Sequence, residues 1–111
     1  MFFDRLPAVE AAEVPSDGFL LDVREPEEWA AGHAEQAVHV PMGEVVARIG
    51  ELPRDRRVHV VCRSGGRSAQ VAQYLIAQGY DAVNVDGGMH AWQAANRPMV
   101  AADGSPEAFV L

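Results

Sequence analysis

The chain has 111 residues, 49% of them hydrophobic and 23% charged, which is typical of one globular domain. Its formal net charge is −7 and all nine basic residues are arginine, which argues against nucleic acid and against an anionic membrane as partners. One cysteine excludes an intramolecular disulfide, and no apolar run approaches the ~20 residues that span a bilayer. Because no signal peptide is visible, we expect a cytoplasmic protein.

Short apolar runs alternate along the chain with segments of helical spacing. The predicted strands are Phe19–Val23, Ala37–Val40, Val58–Cys62 and Tyr80–Val85, with a short strand or helical turn around Ala8–Val14. The predicted helices are Pro26–Gly32, Gly43–Leu52 and Met89–Asn96, together with one that follows the Cys62 loop. This last helix has Ala69, Ala72, Leu75 and Ile76 on one face, and Gly79 lies just past its end. This alternation indicates βαβ units and a mostly parallel sheet, hence an α/β fold.

Three segments are expected along the chain. Residues 1–5 form an N-terminal leader, residues 6–98 the folded domain, and residues 99–111 a C-terminal tail. The apolar pattern weakens from Pro98 onward, so we expect the tail to be held loosely.

The most informative segment is the end of the predicted strand Val58–Cys62. The cysteine is followed by a short polar loop and then by a helical pattern; the loop residues are Arg63, Ser64, Gly65, Gly66, Arg67 and Ser68. Open α/β sheets bind ligands at the carboxyl ends of their strands, and a helix N-terminus stabilises anions. We therefore expect Cys62 to be a catalytic thiol whose pKa is lowered toward the thiolate form.

The glycines and serines of this loop suit an anion site. Gly65 and Gly66 permit unusual φ values, so that successive N–H groups can converge on one anion. Ser64 and Ser68 add hydroxyl donors, and Ser68 is also a candidate helix cap.

The two arginines of the loop have different expected roles. Arg67 carries a planar fork that either binds an oxyanion or turns back to brace the loop. Arg63 points away from the loop more easily, and we expect it to bind the distal part of a substrate.

Four segments together resemble a single-domain rhodanese. They are Leu20–Trp29, Gly32-His33, Val60–Ser68 and Gly87–Trp92, in the order that the family uses. The resemblance implies a three-layer α/β/α rhodanese domain over residues 6–98, with a central, mainly parallel five-stranded sheet. It also implies a sulfurtransferase in which Cys62 carries a persulfide. The donor would be thiosulfate or another small sulfur donor, and the acceptor a thiol, a protein thiol included, or cyanide.

The number of residues in the loop separates this family from similar ones. Cysteine-dependent phosphatases and the arsenate reductases of this fold resemble Cys-x5-Arg, whereas four residues separate Cys62 from Arg67 and the next position is Ser68. A shorter loop forms a smaller bowl, which suits a sulfur atom better than a tetrahedral phosphate. The alternative that stays open is a sulfur-carrier or partner-docking module with little activity on small donors.

Residues outside the loop are expected to be mainly structural. The resemblance suggests an ion pair between Asp22 and Arg24 and a hydrogen-bonded loop histidine at His33. Trp29 either packs or borders the site, and Trp92 packs. Glu27, Glu28, Glu44 and Glu51 are expected to lie on solvated helix faces. The histidines have no metal-like spacing with one another or with Cys62, so we expect no metal and no cofactor.

Overall fold

A computed structural model describes residues 6–111, so the predicted leader, residues 1–5, lies outside the described part of the chain. The strands are β1 (Ala8–Glu10), β2 (Phe19–Asp22), β3 (His33–Ala34), β4 (Val38–His39), β5 (Val58–Val61), β6 (Ala82–Asp86) and β7 (Met99–Val100). The helices are α1 (Pro26–Ala31), α2 (Gly66–Ala77) and α3 (Gly88–Ala94), with 3₁₀ turns at Ala11–Glu13, Met42–Glu44 and Ile49–Glu51.

Five strands form one sheet in the order β1-β6-β5-β2-β4, and every neighbouring pair is parallel. The predicted α/β fold with a parallel five-stranded sheet is therefore confirmed. In the sheet register Val61 lies opposite Asp22 of β2, and Val60 lies opposite Asn84 of β6. The carboxyl ends of three central strands thus meet beside Cys62.

The central strands are apolar at successive positions because the sheet is covered on both faces. Val60 belongs to a core under α2 that includes Leu75. Val61 belongs to the opposite core, which includes Met89 and Trp92 of α3. Alternate side chains of β5 therefore secure the two helices that flank the end of the strand.

Helix α2 buries one stripe of side chains against the sheet. The buried residues are Ser68, Val71, Ala72 and Leu75, which follow the i, i+3, i+4, i+7 spacing of a helical face. Ile76 was predicted to share this stripe but is 40% exposed. The helix ends where predicted, since Gly79 has a φ of +89°.

The predicted helix over Gly43–Leu52 is wrong. Only the two short 3₁₀ turns form there, and turns join them. The segment contains two glycines and the β-branched pair Val45–Val46, which lower helix propensity. Val45 and Leu52 are buried whereas Val46 is 65% exposed, so separate turns direct the apolar side chains into the core.

The two strands of the second sheet come from distant parts of the chain. Strand β7 pairs antiparallel with β3, and the N–H groups of Ala102 and Phe109 donate to the carbonyls of Ala30 and Ala31, at 3.1 Å each. Gly32, which follows α1, is extended with a φ of 172°. Residues 99–111 therefore lie along α1 and β3. In the described part of the chain no helix is long and apolar enough to cross a membrane.

Candidate active site

Cys62 lies directly after β5, four residues before α2 begins at Gly66. Its side chain is 1% exposed. The thiol therefore occupies the carboxyl edge of the sheet, in the turn between a buried strand and a helix N-terminus. This is the position at which open α/β folds bind ligands.

Two neutral donors contact the sulfur. The backbone N–H of Gly65 donates to Sγ at 3.1 Å, and the hydroxyl of Ser68 lies 3.2 Å from it. Gly65 has a φ of +117°, a left-handed conformation that suits glycine. Gly66 has no such conformation and is the first residue of α2, so the expectation that both glycines need unusual φ values is wrong.

These donors lower the pKa of the Cys62 thiol. Burial by itself raises the pKa, because it disfavours the thiolate. The Ser68 hydroxyl and the backbone N–H groups of Ser68, Gly65 and Ser64 more than offset burial, so the net pKa lies below the ordinary value. The dipoles of these hydrogen-bond donors thus favour the thiolate.

Ser68 is held in place by a residue that the sequence did not single out. The single proton of its hydroxyl has two acceptors within reach, Oδ1 of Asn84 at 2.6 Å and Sγ of Cys62 at 3.2 Å, and it donates to one of them at a time. Asn84 Nδ2 donates to the carbonyl of Gly65 at 3.3 Å. Ser68 is the third residue of α2 and caps nothing, contrary to expectation. The available signal was a polar residue inside the apolar run Ala82–Val85.

Helix α3 supports the cysteine loop from the other side. The N–H groups of Met89 and His90 donate to the carbonyls of Cys62 and Arg63 at 2.8 and 3.1 Å. Gly88 has a φ of +57°, and a Cβ there would lie 2.5 Å from the Cys62 carbonyl oxygen. Only glycine lets the two loops approach this closely.

The two loop arginines have different surroundings. Arg67 Nη1 and Nη2 donate to Oε1 and Oε2 of Glu28 in α1, at 2.6 and 2.8 Å. Arg67 therefore braces the loop, and Glu28 is not the freely solvated residue that was expected. Arg63 is exposed. The backbone of Ser64 is close enough to help stabilise the sulfur, whereas its side chain is exposed.

The expected ion pair between Asp22 and Arg24 forms next to the loop. Arg24 Nε and Nη2 donate to the Asp22 carboxylate at 2.9 and 2.7 Å, and both side chains are fully buried. Arg24 Nη2 also donates to the carbonyl of Gly32 at 2.8 Å. The pair therefore ties the end of β2 to the end of α1.

An aromatic stack lies beside this ion pair. The Trp29 ring is parallel to the His33 ring at 3.5 Å and to the His39 ring at 4.7 Å. His33 Nδ1 is 2.8 Å from the Trp29 carbonyl, so the histidine is hydrogen-bonded as expected, but it lies in β3 rather than in a loop. Trp92 is fully buried in the core. Among residues 6–111 no group of three His, Cys, Asp or Glu side chains is arranged to hold a metal ion.

Comparison with known proteins identifies the family. The sequence pattern of the rhodanese-like domain matches residues 8–95, most of the chain and the whole of the cysteine loop. The chain belongs to the rhodanese-like family. The predicted resemblance is thereby confirmed.

Relatives of similar length carry sulfurtransferase names. The chain is 44% identical over 89 residues to "Putative sulfurtransferase YtwF" of Bacillus subtilis, covering 80% of this chain and 86% of that protein. It is equally similar, over 89 residues, to "Sulfurtransferase" of Allochromatium vinosum, covering 79% and 83%. A rhodanese-related protein of Thermoplasma volcanium has the same fold, with a TM-score of 0.80 and 31% identity over 85% of this chain and 97% of that one. These similarities support a sulfurtransferase.

Proposed function

We propose that the protein transfers a sulfane sulfur from thiosulfate or a persulfide donor to a thiol or cyanide acceptor, with Cys62 as the catalytic residue. The observation that carries the proposal is the sulfur of Cys62 facing the Gly65 N–H and the Ser68 hydroxyl, with a lowered pKa. A thiolate is the nucleophilic form of cysteine, so this loop activates the thiol without a general base.

In the first half-reaction the Cys62 thiolate attacks the outer sulfur of thiosulfate. The S–S bond of the donor breaks, sulfite leaves with the electron pair, and Cys62–S–S⁻ forms. The exposed Arg63 side chain binds the anionic end of the donor at the loop entrance. The N–H groups of the loop stabilise the negative charge of the terminal sulfur.

In the second half-reaction an acceptor attacks the terminal sulfur of the persulfide. Cyanide leaves as thiocyanate, a thiol leaves as its own persulfide, and the Cys62 thiolate is restored in either case. The covalent intermediate divides one transfer into two displacements at the same cysteine. No resident cofactor is needed for this chemistry.

The small loop supports sulfur rather than phosphate as the transferred group. Four residues separate Cys62 from Arg67, and the Arg67 guanidinium is occupied by Glu28. A phosphatase needs donors for three equatorial oxygens, whereas a terminal sulfur is a single anionic atom. A cytoplasmic location agrees with the proposal, because the reducing compartment keeps the catalytic thiol free.

A sulfur-carrier module is the second candidate. The observation that favours it is the exposed Arg63 side chain directly after the cysteine in a small domain, a charge that another protein can contact. Turnover with thiosulfate and with a persulfidated protein, measured side by side, separates the two. Fast saturating turnover on thiosulfate alone excludes the carrier.

Intact-mass spectrometry tests the proposed mechanism directly. After incubation with thiosulfate or a small thiol persulfide, we expect a mass gain of one sulfur atom that dithiothreitol reverses. Cys62→Ser serves as the control and gains nothing. An unmodified wild-type protein after exposure to both donors excludes the persulfide mechanism.

A further inference from the structure

The two arginines that follow Cys62 differ in how much of their charge is available. Within residues 6–111 every arginine except Arg63 donates a side-chain hydrogen bond; the donors are Arg24, Arg48, Arg54, Arg56, Arg57, Arg67 and Arg97. Arg67 is only 33% exposed and both of its Nη atoms are paired with Glu28. One of the two cations in the loop is therefore withheld from an incoming anion.

Glu28 is itself oriented by the start of α1. Its Oε1 accepts the Arg67 Nη1 hydrogen bond and also the backbone N–H of Glu25 at 2.9 Å, as part of a capping box. The carboxylate side chain is 13% exposed. The hydrogen bond from Arg67 helps lower the pKa of Glu28 to about 2, so the pair stays ionised at neutral pH. Both Nη atoms of Arg67 are thus occupied by a carboxylate that a second element, distant in sequence, holds in place.

The groups that do face the sulfur are neutral. The backbone nitrogen of Gly65 and the hydroxyl oxygen of Ser68 each lie within 3.2 Å of Sγ. Neutral dipoles are sufficient for one anionic sulfur atom. A sulfonate or sulfate group carries its charge on several oxygens and is bound best by a guanidinium fork with two parallel N–H groups.

We infer that Glu28 is a specificity-determining residue, which occupies the Arg67 guanidinium and so disfavours donors bearing an oxyanion, such as thiosulfate, relative to thiol persulfides. This inference rests on the proposed function and adds the donor class to it. Both donors deliver the same atom: the Cys62 thiolate bonds to the outer sulfur, and either sulfite or a thiolate leaves with the electrons of the broken S–S bond. Only thiosulfate brings an oxyanion that a free Arg67 would bind.

Glu28→Gln is the informative variant, with Glu27→Gln as its matched control. Glutamine can still accept the Glu25 N–H in the capping box, but it removes the charge that holds Arg67. Glu27 is exposed, lies on the same helix and loses the same charge. We expect Glu28→Gln to lower KM for thiosulfate about fivefold, the change that a partly solvated ion pair can supply.

The ratio of the two donors decides the outcome. In Glu28→Gln, the ratio of kcat/KM for thiosulfate to kcat/KM for cysteine persulfide should rise about fivefold, because a loosened loop affects both donors alike whereas a freed Arg67 favours only thiosulfate. In Glu27→Gln this ratio should stay at the wild-type value. Equal changes for both donors, an unchanged thiosulfate KM, or the same effect in Glu27→Gln would overturn the inference.

A second readout does not depend on sulfur transfer. Sulfate bound at the loop should protect Cys62 from alkylation by iodoacetamide, and Glu28→Gln should need about fivefold less sulfate for half protection. Adding Arg67→Gln to Glu28→Gln should cancel the gain. If the sulfate requirement is the same in all three proteins, the inference fails even when sulfur transfer is active. If the requirement shifts but no persulfide forms, the proposed function alone fails.

Discussion

Two buried polar groups lie next to each other at the carboxyl edge of the sheet, and their charge is balanced in opposite ways. Asp22 is opposed by the full positive charge of Arg24, with both side chains completely buried. Cys62, which follows the residue opposite Asp22 in the register, is surrounded by neutral donors. A cancelled charge suits a structural tie, whereas a charge stabilised by neutral hydrogen-bond donors can be gained and lost in a reaction.

Breaking the ion pair should have the largest effect. Asp22→Asn leaves the Arg24 charge buried without a counter-charge, which costs about 3–5 kcal/mol of stability. Urea unfolding followed by circular dichroism measures it. Glu44→Gln, which removes a charge from the exposed pair with Arg48, is the control and should leave the midpoint unchanged. A midpoint for Asp22→Asn equal to that of the control would show that the buried pair is not a structural tie.

The adjacent glycines should respond in opposite directions. Gly65→Ala forces a side chain into a left-handed conformation at a cost of about 1–2 kcal/mol. Gly66→Ala should instead stabilise by about 0.5–1 kcal/mol, because Gly66 is helical and nothing lies within 4 Å of an added Cβ. The same unfolding measurement tests both variants. Destabilisation of similar size in both would contradict the placement of Gly66 in the helix.

Variants at Ser68 and Ser64 should separate the effect of a side-chain donor on the pKa of Cys62 from that of a backbone donor. Ser68→Ala removes the hydroxyl that lowers the pKa of Cys62, so the pKa should rise and alkylation at neutral pH should slow about tenfold. Ser64 contributes its N–H, so Ser64→Ala should leave the pKa unchanged. The pH profile of the iodoacetamide rate measures both. Equal profiles for Ser68→Ala and wild type would show that the hydroxyl does not stabilise the thiolate.

The smallest effect is expected from the partly exposed pair of Glu28 and Arg67. The pKa of Glu28 is about 2, below its ordinary 4.5, so its ionised form stabilises the fold. That stability is fully present above about pH 4.5 and is lost as the pH falls through about 2. Thermal unfolding of wild type and Glu28→Gln should therefore differ at neutral pH and converge near pH 2. If wild type and Glu28→Gln differ by the same amount at both pH values, the difference comes from packing and not from the charge of Glu28.

Much of the fold was predictable because its signals are local. The apolar runs of β2, β5 and β6 are strands, and the alternation with helices gives a parallel sheet. The helical spacing of residues 43–52 misled the prediction, since Val45 and Leu52 are buried at the ends of two separate 3₁₀ turns while Val46 is exposed. The contribution of an element to the core outweighed its local periodicity there.

Some features of the candidate site are likewise local in sequence, whereas others depend on tertiary contacts. The sequence by itself determined a cysteine at the end of a strand, a glycine-containing loop and a helix behind it, because strand, loop and helix are consecutive in the chain. Only the tertiary structure decided which groups face the sulfur. Asn84 contacts Ser68 from a neighbouring strand, Gly88 allows the close approach of the cysteine loop, and Glu28 binds the guanidinium of Arg67. These contacts join residues 16 to 39 positions apart, and in a single sequence side-chain contacts at such distances leave no periodic signal.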